Sequence, residues 1–451
     1  MSPEWVSILA LVALFIVGTL LPINMGALAF VAAWLVGMYS LGMAEDDIIA
    51  GMNSDLVLTL IGITYLFAIA KNNGTVDVIV QKAVQAVGGR VGLIPWVMFT
   101  VTGVLTAIGA ASPAACAIIG PIALGFAGRY KISPLLMGMF VVHGAQAGGF
   151  SPISIYGTIT NSVMADNDLP NGEIAIFLTS LIVNLLIAVA LFAVLGGREL
   201  MSRRIDPTAL PPAEDDADGV SGSGGVAAGS AGGRGGTSGG TTTKVEAPAT
   251  TRINTEQIIT LVAFLAVAVL ALLFERNIGF CAITAAVLLV AFFPSSNKNA
   301  VSQIAWATIL LLAGVTTFVA VLEEAGTPEY VGELAAGIGT AVIAALVLCY
   351  VGGIVSAFAS STALLPIIIP IAIPLIDAGG VGAVGLVAAL AVSSTIVDVS
   401  PFSTNGAIML ANCPDTISQE KFYKQILGYS AIVVAVGPLL VWAAVVLPGW
   451  G

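Results

Sequence analysis

Four short motifs with hydroxyl residues, three of which also contain proline, interrupt long apolar stretches of this 451-residue chain. They are Ala111-Ser112-Pro113-Ala114, Ser151-Pro152-Ile153-Ser154, Ser360-Ser361-Thr362-Ala363 and Ser400-Pro401-Phe402-Ser403. Serine is a favoured N-cap and proline fits the first helical turn, so each motif predicts a helix that begins inside an apolar segment. The predicted starts are Ser151 and Ser400 in two broken helices, with Ser112 and Ser361 capping two further helices. A helix N-terminus holds an anion without any basic residue, and none of the motifs contains one.

One carboxylate, that of Asp398, lies two residues before the last of these motifs, in the run Thr395-Ile396-Val397-Asp398-Val399. A carboxylate at membrane depth costs a few kcal/mol or more and is functional by default. The C-terminal end of a half-helix disfavours an anion, and a bound cation would relieve both problems. We predict that Asp398 binds Na⁺ or carries a coupled proton. A purely structural pairing with nearby hydroxyls or backbone N–H groups is the alternative.

Two other polar residues flank the predicted breaks. Asn405 follows the second break and is a candidate for contact with a substrate. His143 precedes the first break, where packing or a backbone hydrogen bond is favoured over a proton relay.

The motifs recur at one offset. The pairs separated by 249 residues are Ser112 and Ser361, Pro121 and Pro370, and Ser151 and Ser400. A further pair, Gly74-Thr75 and Gly326-Thr327, is separated by 252 residues. Three motifs at one spacing indicate a duplicated fold.

The composition is that of a membrane protein. Of the residues 58% are hydrophobic and 9% charged, against roughly 25% charged in soluble proteins. The net charge of −11 leaves no basic patch for nucleic acid. The four cysteines fall in or beside apolar segments, where packing is their usual role. With one histidine and no phosphate-binding loop motif, the sequence indicates no cofactor and no metal beyond Na⁺ as a coupling ion.

Apolar runs divide the chain into two halves of similar order. The first half has predicted spans at 3–21, 24–42 and 54–70, an amphipathic stretch at 75–88, a hairpin at 91–128, a broken helix at 133–164 and a span at 174–196. The second half has spans at 256–274, 277–294 and 302–322, an amphipathic stretch at 328–338, a hairpin at 340–376, a broken helix at 380–412 and a span at 425–447. Residues 199–255 are polar and rich in Gly, Ser and Thr, which predicts a disordered linker.

Charge distribution favours an inverted arrangement of the halves. If each hairpin is re-entrant, every half has five crossings, and an odd number turns the second half upside down. All lysines and arginines except Arg276 then fall on one face, apart from Arg234 and Lys244 deep in the linker. The positive-inside rule places the linker in the cytoplasm and both termini outside. The predicted fold is an all-α membrane protein of two inverted repeats, each with five transmembrane helices, a re-entrant hairpin and a helix broken at mid-membrane.

At these hairpins and breaks the sequence resembles the ion transporter superfamily, closest to its dicarboxylate (malonate) carrier and divalent anion/sodium symporter group. The resemblance covers nearly the whole chain outside the linker. Those symporters carry Ser-Asn-Thr at both hairpin tips, whereas this chain has Ala111-Ser112-Pro113 and Ser360-Ser361-Thr362. Hydroxyls in place of amides favour the malonate-carrier branch.

The resemblance implies a homodimer in the inner membrane that works by an elevator mechanism. Residues 1–90 and 256–338 would form the scaffold, and residues 91–198 and 339–451 the moving transport part. It also implies Na⁺ sites between each hairpin tip and the neighbouring break, with the substrate between them. The predicted substrate-binding residues are Ser112, Pro113, Ser151, Ser154, Ser361, Thr362, Ser400, Ser403, Thr404 and Asn405. The predicted cation-binding residues are Ser112, Gly149, Ser361 and Asp398.

The leading hypothesis is therefore symport of a small dicarboxylate with Na⁺ or H⁺, in contact with membrane lipid and without nucleic acid. A sodium/proton antiporter or an arsenite-type efflux carrier of the same superfamily is the alternative. An intramembrane enzyme would need paired acidic residues, but the position equivalent to Asp398 in the first half is Gly149. A passive channel suits the single buried acid less well than alternating access does.

Overall fold

The structure is a computed structural model that describes residues 2–85, 90–204, 253–274, 276–336, 339–357, 361–414 and 417–449. Across these ranges the chain is helical and forms no β-strand, with a single antiparallel bridge between Arg90 and Arg204. Most of the predicted linker lies outside the described residues.

Eleven α-helices form the described part of the first half. They are α1 Pro3–Leu20, α2 Met25–Val36, α3 Glu45–Ala50, α4 Ser54–Asn72, α5 Thr75–Gln85, α6 Ile94–Ala107, α7 Ser112–Tyr130, α8 Pro134–Gly148, α9 Ile155–Asp166, α10 Glu173–Val194 and α11 Gly197–Ser202. A π-helical turn, Gly37–Leu41, continues α2, and a 3₁₀ turn, Val91–Leu93, precedes α6.

Nine α-helices follow in the described part of the second half. They are α12 Thr255–Phe274, α13 Ile278–Phe292, α14 Trp306–Glu324, α15 Thr327–Ala336, α16 Ala341–Ser356, α17 Ser361–Asp377, α18 Ala383–Ile396, α19 Thr404–Ala411 and α20 Gln419–Val445, with a 3₁₀ turn at Val301–Gln303 before α14. Their order matches that of α1, α2 and α4–α10. The short helices α3 and α11 were not predicted, and neither has a counterpart among the described residues of the second half.

Six helices in the described ranges are long and apolar enough to cross a membrane, namely α1, α4, α7, α10, α14 and α20. Seven shorter apolar helices accompany them. The outer helices present apolar side chains outward, as Leu20 on α1 and Leu265 on α12 show with 76% and 65% exposure. Apolar surface on this scale is suited to lipid rather than water. The chain is a multi-pass membrane protein.

Close helix crossings join the first helices of the two halves. α2 packs on α14, and α4 packs on α13. A Cβ at Gly26 would lie 2.0 Å from the carbonyl oxygen of Leu310, and one at Gly314 would lie 2.0 Å from the carbonyl oxygen of Gly26. Gly62 and Gly279 form the equivalent crossing, with a Cβ at Gly62 only 2.7 Å from the Gly279 oxygen. Small residues let membrane helices approach this closely.

The remaining helices repeat one packing pattern in both halves. The contacts of α6 with α7 and α8, of α7 with α8 and of α8 with α10 recur between α16, α17, α18 and α20. Two further contacts cross between the halves, since α7 packs on α19 and α17 packs on α9. The helix pair α6–α7 thus meets α19 of the opposite half, and the pair α16–α17 meets α9.

The linker was predicted to begin at residue 199, and the structure corrects this boundary. The chain stays ordered through α11 to Arg204, where the Val91 N–H donates to the carbonyl of Arg203. The Arg203 guanidinium donates to the carbonyl of Tyr130 at 2.7 Å. A cation near the C-terminal carbonyls of α7 is favoured by the helix dipole. The Arg203 contact therefore holds the end of α11 against α7.

Candidate functional site

Both predicted breaks are present, but the helices restart later than the sequence suggested. α9 begins at Ile155 after Ser154, and α19 begins at Thr404 after Ser403. The starts at Ser151 and Ser400 were wrong because the intervening residues form a tight turn. The Ser154 hydroxyl donates to the Ser151 carbonyl at 2.6 Å, and the Ser403 hydroxyl donates to the Ser400 carbonyl at 2.7 Å.

A glycine in the first turn of each restarted helix makes room for that carbonyl. A Cβ at Gly157 would lie 1.9 Å from the Ser151 oxygen, and a Cβ at Gly406 would lie 1.9 Å from the Ser400 oxygen. No side chain fits there without moving backbone. The two breaks therefore share one backbone geometry.

Ser112 and Ser361 are the first residues of α7 and α17, not their N-caps as predicted. The N-cap of α7 is Ala111, and no side chain caps that helix. The Ser361 hydroxyl lies 2.7 Å from the Ser356 hydroxyl and donates to the Ser394 carbonyl at 3.2 Å. Ser360 lies outside the described residues.

A cavity of about 310 Å³ lies where the helix starts of both halves meet. It is lined by residues 110–114 at the start of α7, Gly149, Ile155 and Tyr156 at the first break, Thr362 of α17, Thr404 of α19, and Thr308 and Leu311 of α14. None of these lining residues is charged. The first turns of four helices thus border one space, and their N–H groups lack acceptors within their own helices.

Beside this cavity a buried polar cluster joins Asp398, Asn405 and Ser112. The Asn405 backbone N–H donates to Asp398 Oδ1 at 3.3 Å, and its side-chain Nδ2 donates to Asp398 Oδ2 at 2.8 Å. The same Nδ2 lies 2.8 Å from Ser112 Oγ. The cluster therefore connects α19 of the second half with α7 of the first.

The Asp398 carboxylate is thus partly satisfied by the N-terminus of α19, which is the structural pairing kept as an alternative above. It is 5% exposed. The other side-chain atom of Asn405, its fully buried Oδ1, has no hydrogen-bond partner among the described residues. A buried carboxylate next to an unpaired carbonyl oxygen is a donor set suited to a small hard cation.

The structure divides the predicted site residues into three groups. Ser112, Pro113, Gly149, Thr362 and Thr404 line the cavity, while Asp398 and Asn405 lie directly behind Ser112. Ser154 and Ser403 use their hydroxyls inside the turns, and Ser151 and Ser400 supply the carbonyls that accept them. Ser361 bonds to neighbouring helices. These five serines shape the site without lining its cavity.

Sequence reasoning did not select Tyr156, Thr308 or Leu311, although all three line the cavity. Tyr156 precedes Asn405 by 249 residues, so the repeat offset itself was a signal for it. Thr308 and Leu311 come from α14, outside every motif, and nothing local in the sequence marks them.

His143 is fully buried and packs against Tyr429, in line with the packing role favoured for it, but its ring nitrogens contact side chains and not the backbone. Its Nδ1 lies 2.8 Å from Asn184 Oδ1 and its Nε2 lies 2.6 Å from the Tyr429 hydroxyl. Both ring nitrogens are therefore held by side chains of α10 and α20, away from the cavity. The contacts stabilise the packing of α8.

Comparisons with known proteins agree with this architecture. Residues 1–149 match the family described as the dicarboxylate carrier protein MatC N-terminus, and residues 276–449 match the citrate transporter family. No curated protein sequence matches the chain.

Two solved transporter structures are similar in fold. The Alcanivorax borkumensis YdaH transporter is 13% identical with a TM-score of 0.57, over 92% of this chain and 89% of that one. Neisseria gonorrhoeae MtrF is 11% identical over 99% and 95% of the two chains, with a TM-score of 0.45. The chain shares its fold with YdaH, and the similarity to MtrF is too low to support a further conclusion. The two family matches and this fold indicate a membrane transporter, similar to dicarboxylate carriers over its first part and to citrate transporters over its last part.

Proposed function

We propose that the protein is a cation-coupled symporter of a small dicarboxylate such as malonate or succinate. The observation that carries the proposal is an uncharged cavity bordered by helix starts from both halves, with the buried Asp398 cluster beside it. The coupling cation is Na⁺ or H⁺.

The cavity suits a small dianion in size and in electrostatics. Its volume of about 310 Å³ is at the lower end of the range of roughly 300–1,000 Å³ found for small-molecule sites. The partial positive charge of the helix N-termini favours carboxylates, and the hydroxyls of Ser112, Thr362 and Thr404 supply further donors. One carboxylate of the substrate would face the helix start of each half.

The Asp398 cluster gives the cation a place next to the substrate. Asp398 and the unpaired Asn405 Oδ1 would hold Na⁺, or Asp398 alone would carry the proton. Asn405 contacts Ser112, and its chain neighbour Thr404 lines the cavity. Neutralising Asp398 removes a negative charge that would otherwise repel a dicarboxylate a few ångströms away, so cation and substrate bind cooperatively.

The reciprocal contacts between the halves support the proposed inverted repeats with re-entrant hairpins. In that arrangement α6–α10 and α16–α20 form a transport part that moves as an elevator against α1–α5 and α12–α15. Asn53 before α4 donates to Ser162 of α9 at 2.8 Å, which is the kind of contact such a movement would exchange. A homodimer in the inner membrane with a cytoplasmic linker completes the proposal.

The test is uptake of radiolabelled malonate and succinate into proteoliposomes, with an inward Na⁺ gradient, an inward H⁺ gradient, or neither. We expect accumulation above equilibrium with one of the gradients, and the better substrate identifies the preferred chain length. Citrate is the comparison substrate because its third carboxylate demands a larger site.

Absence of accumulation with every acid under both gradients would contradict the proposal. Acidification of the vesicle lumen on addition of Na⁺ alone would instead assign cation exchange to the protein.

A further inference from the structure

The two breaks share a backbone but differ in two side chains that face each other. Asp398 and Asn405 of the second break correspond, at the 249-residue offset, to Gly149 and Tyr156 of the first. In the second break these positions hold a carboxylate and an amide in direct contact. In the first break they hold a glycine and a phenol.

The Tyr156 ring occupies the space that a side chain at position 149 would need. A Cβ at Gly149 would lie 2.9 Å from Cδ2 of Tyr156, closer than real Cβ contacts allow. The ring also packs on Phe150, with 5.5 Å between centroids, and the residue is 5% exposed. No carboxylate equivalent to that of Asp398 can be accommodated while this ring is present.

Tyr156 of α9 and Thr362 at the start of α17 line the same cavity, and α9 packs on α17. In the other half of this arrangement α19 packs on α7, where Asn405 contacts Ser112. Each break therefore meets the helix pair of the opposite half. In the first break the residue at this position is a neutral phenol, which carries no charge to balance a cation.

We infer that Tyr156 closes the symmetry-related counterpart of the Asp398 cation site, so that one cation, bound through Asp398, is coupled to each substrate. The inference rests on the proposed function and adds the coupling ratio to it. A dicarboxylate dianion moved with one monovalent cation carries one net negative charge. An inside-negative potential therefore slows its uptake, whereas a hydrogen-dicarboxylate monoanion is moved without net charge.

The experiment measures the number of cations per substrate in proteoliposomes, from the cation gradient that just balances an opposing substrate gradient. We expect a ratio of one and a Hill coefficient for cation activation of about 1 in the wild type. A ratio of two or more, or cation coupling that persists in Asp398→Asn, would overturn the inference while leaving symport intact. No accumulation under either gradient would overturn the proposed function and the inference together.

Two variants separate the ring from its hydroxyl. Tyr156→Phe keeps the ring, so the ratio stays at one while uptake falls by about threefold to tenfold through loss of a hydroxyl on the cavity wall. The double variant Gly149→Asp, Tyr156→Asn gives the first break the two side chains of the second, and its Hill coefficient should rise above that of wild type. A Tyr156→Phe protein with a changed ratio would overturn the inference even if the double variant fails to fold. Gly428→Ala is the matched control variant, because a Cβ at Gly428 meets no atom within 4 Å and both the ratio and the uptake rate should stay as in wild type.

Discussion

The two breaks have the same backbone and different chemistry. Their turns use equivalent serine hydroxyls, 2.6 and 2.7 Å from equivalent carbonyls, and equivalent glycines with the same 1.9 Å approach. Yet one break holds a buried carboxylate and the other a tyrosine. The residues that set the backbone shape of the breaks therefore recur in both halves, whereas the side chains between the halves differ.

The largest expected effect comes from substitutions that disturb the backbone shared by the two breaks. Gly157→Ala and Gly406→Ala each place a methyl group against a carbonyl oxygen, and we expect losses of at least about 3 kcal/mol in both. Thermal unfolding of the detergent-solubilised protein, followed by tryptophan fluorescence, measures this. Gly428→Ala should unfold like wild type. If only one of the two glycines is sensitive, the breaks are not equivalent in backbone.

The second largest effect is expected from removing the carboxylate that only the second break has. Asp398→Asn keeps the shape but not the charge, so we expect cation-driven accumulation to fall by about 100-fold, the equivalent of about 3 kcal/mol. Glu420→Gln, an exposed carboxylate on α20, should retain transport. Accumulation with an unchanged cation dependence in Asp398→Asn would remove Asp398 from the coupling mechanism.

A third prediction compares the serines at the starts of α7 and α17. Ser112→Ala removes the contact with Asn405, and about tenfold more cation should be needed for half-maximal uptake. Ser361→Ala loses bonds to Ser356 and the Ser394 carbonyl instead, so stability should fall without a change in cation affinity. Cation titrations of uptake measure both, and equal shifts in the two variants would contradict the asymmetry.

The smallest effect tests the turns themselves. Ser403→Ala loses the bond to the Ser400 carbonyl, with an expected cost of about 1 kcal/mol. Ser154→Ala loses the bond to the Ser151 carbonyl and also the bond accepted from the Gly157 N–H, so we expect about 2 kcal/mol. Chemical or thermal unfolding of the two variants measures both values, and equal losses would contradict the extra bond at the first turn.

Most of the helical order was predictable because lipid demands long apolar segments with internal hydrogen bonding. The spans, the amphipathic stretches and both breaks were located from hydropathy and the repeated Ser, Pro and Gly motifs. The exact helix starts were not, since Ser151 and Ser154 are equally good caps by residue type. Only the fit of the Ser151 carbonyl against Gly157 decides between them.

Part of the candidate site was predictable from polar residues in apolar segments. Ser112 and Asp398 stand out because they are polar in apolar surroundings. Their contact through Asn405 joins residues 293 positions apart in sequence, and local patterns carry no such information. Tyr156 was overlooked because an aromatic residue in a membrane helix is ordinarily a packing residue.

The central claim, that a dicarboxylate binds between the two breaks, is tested most directly by substrate protection of an introduced cysteine, with the buried Cys116 and Cys349 left in place. Ala111→Cys places the thiol on the cavity wall, in a protein whose half-buried Cys281 and Cys413 are replaced by serine. We predict that malonate or succinate, together with the coupling cation, slows maleimide labelling of this thiol. The same ligands should not affect Gly428→Cys on the outer surface of α20. Equal labelling rates with and without ligand, in protein that still transports, would contradict the account.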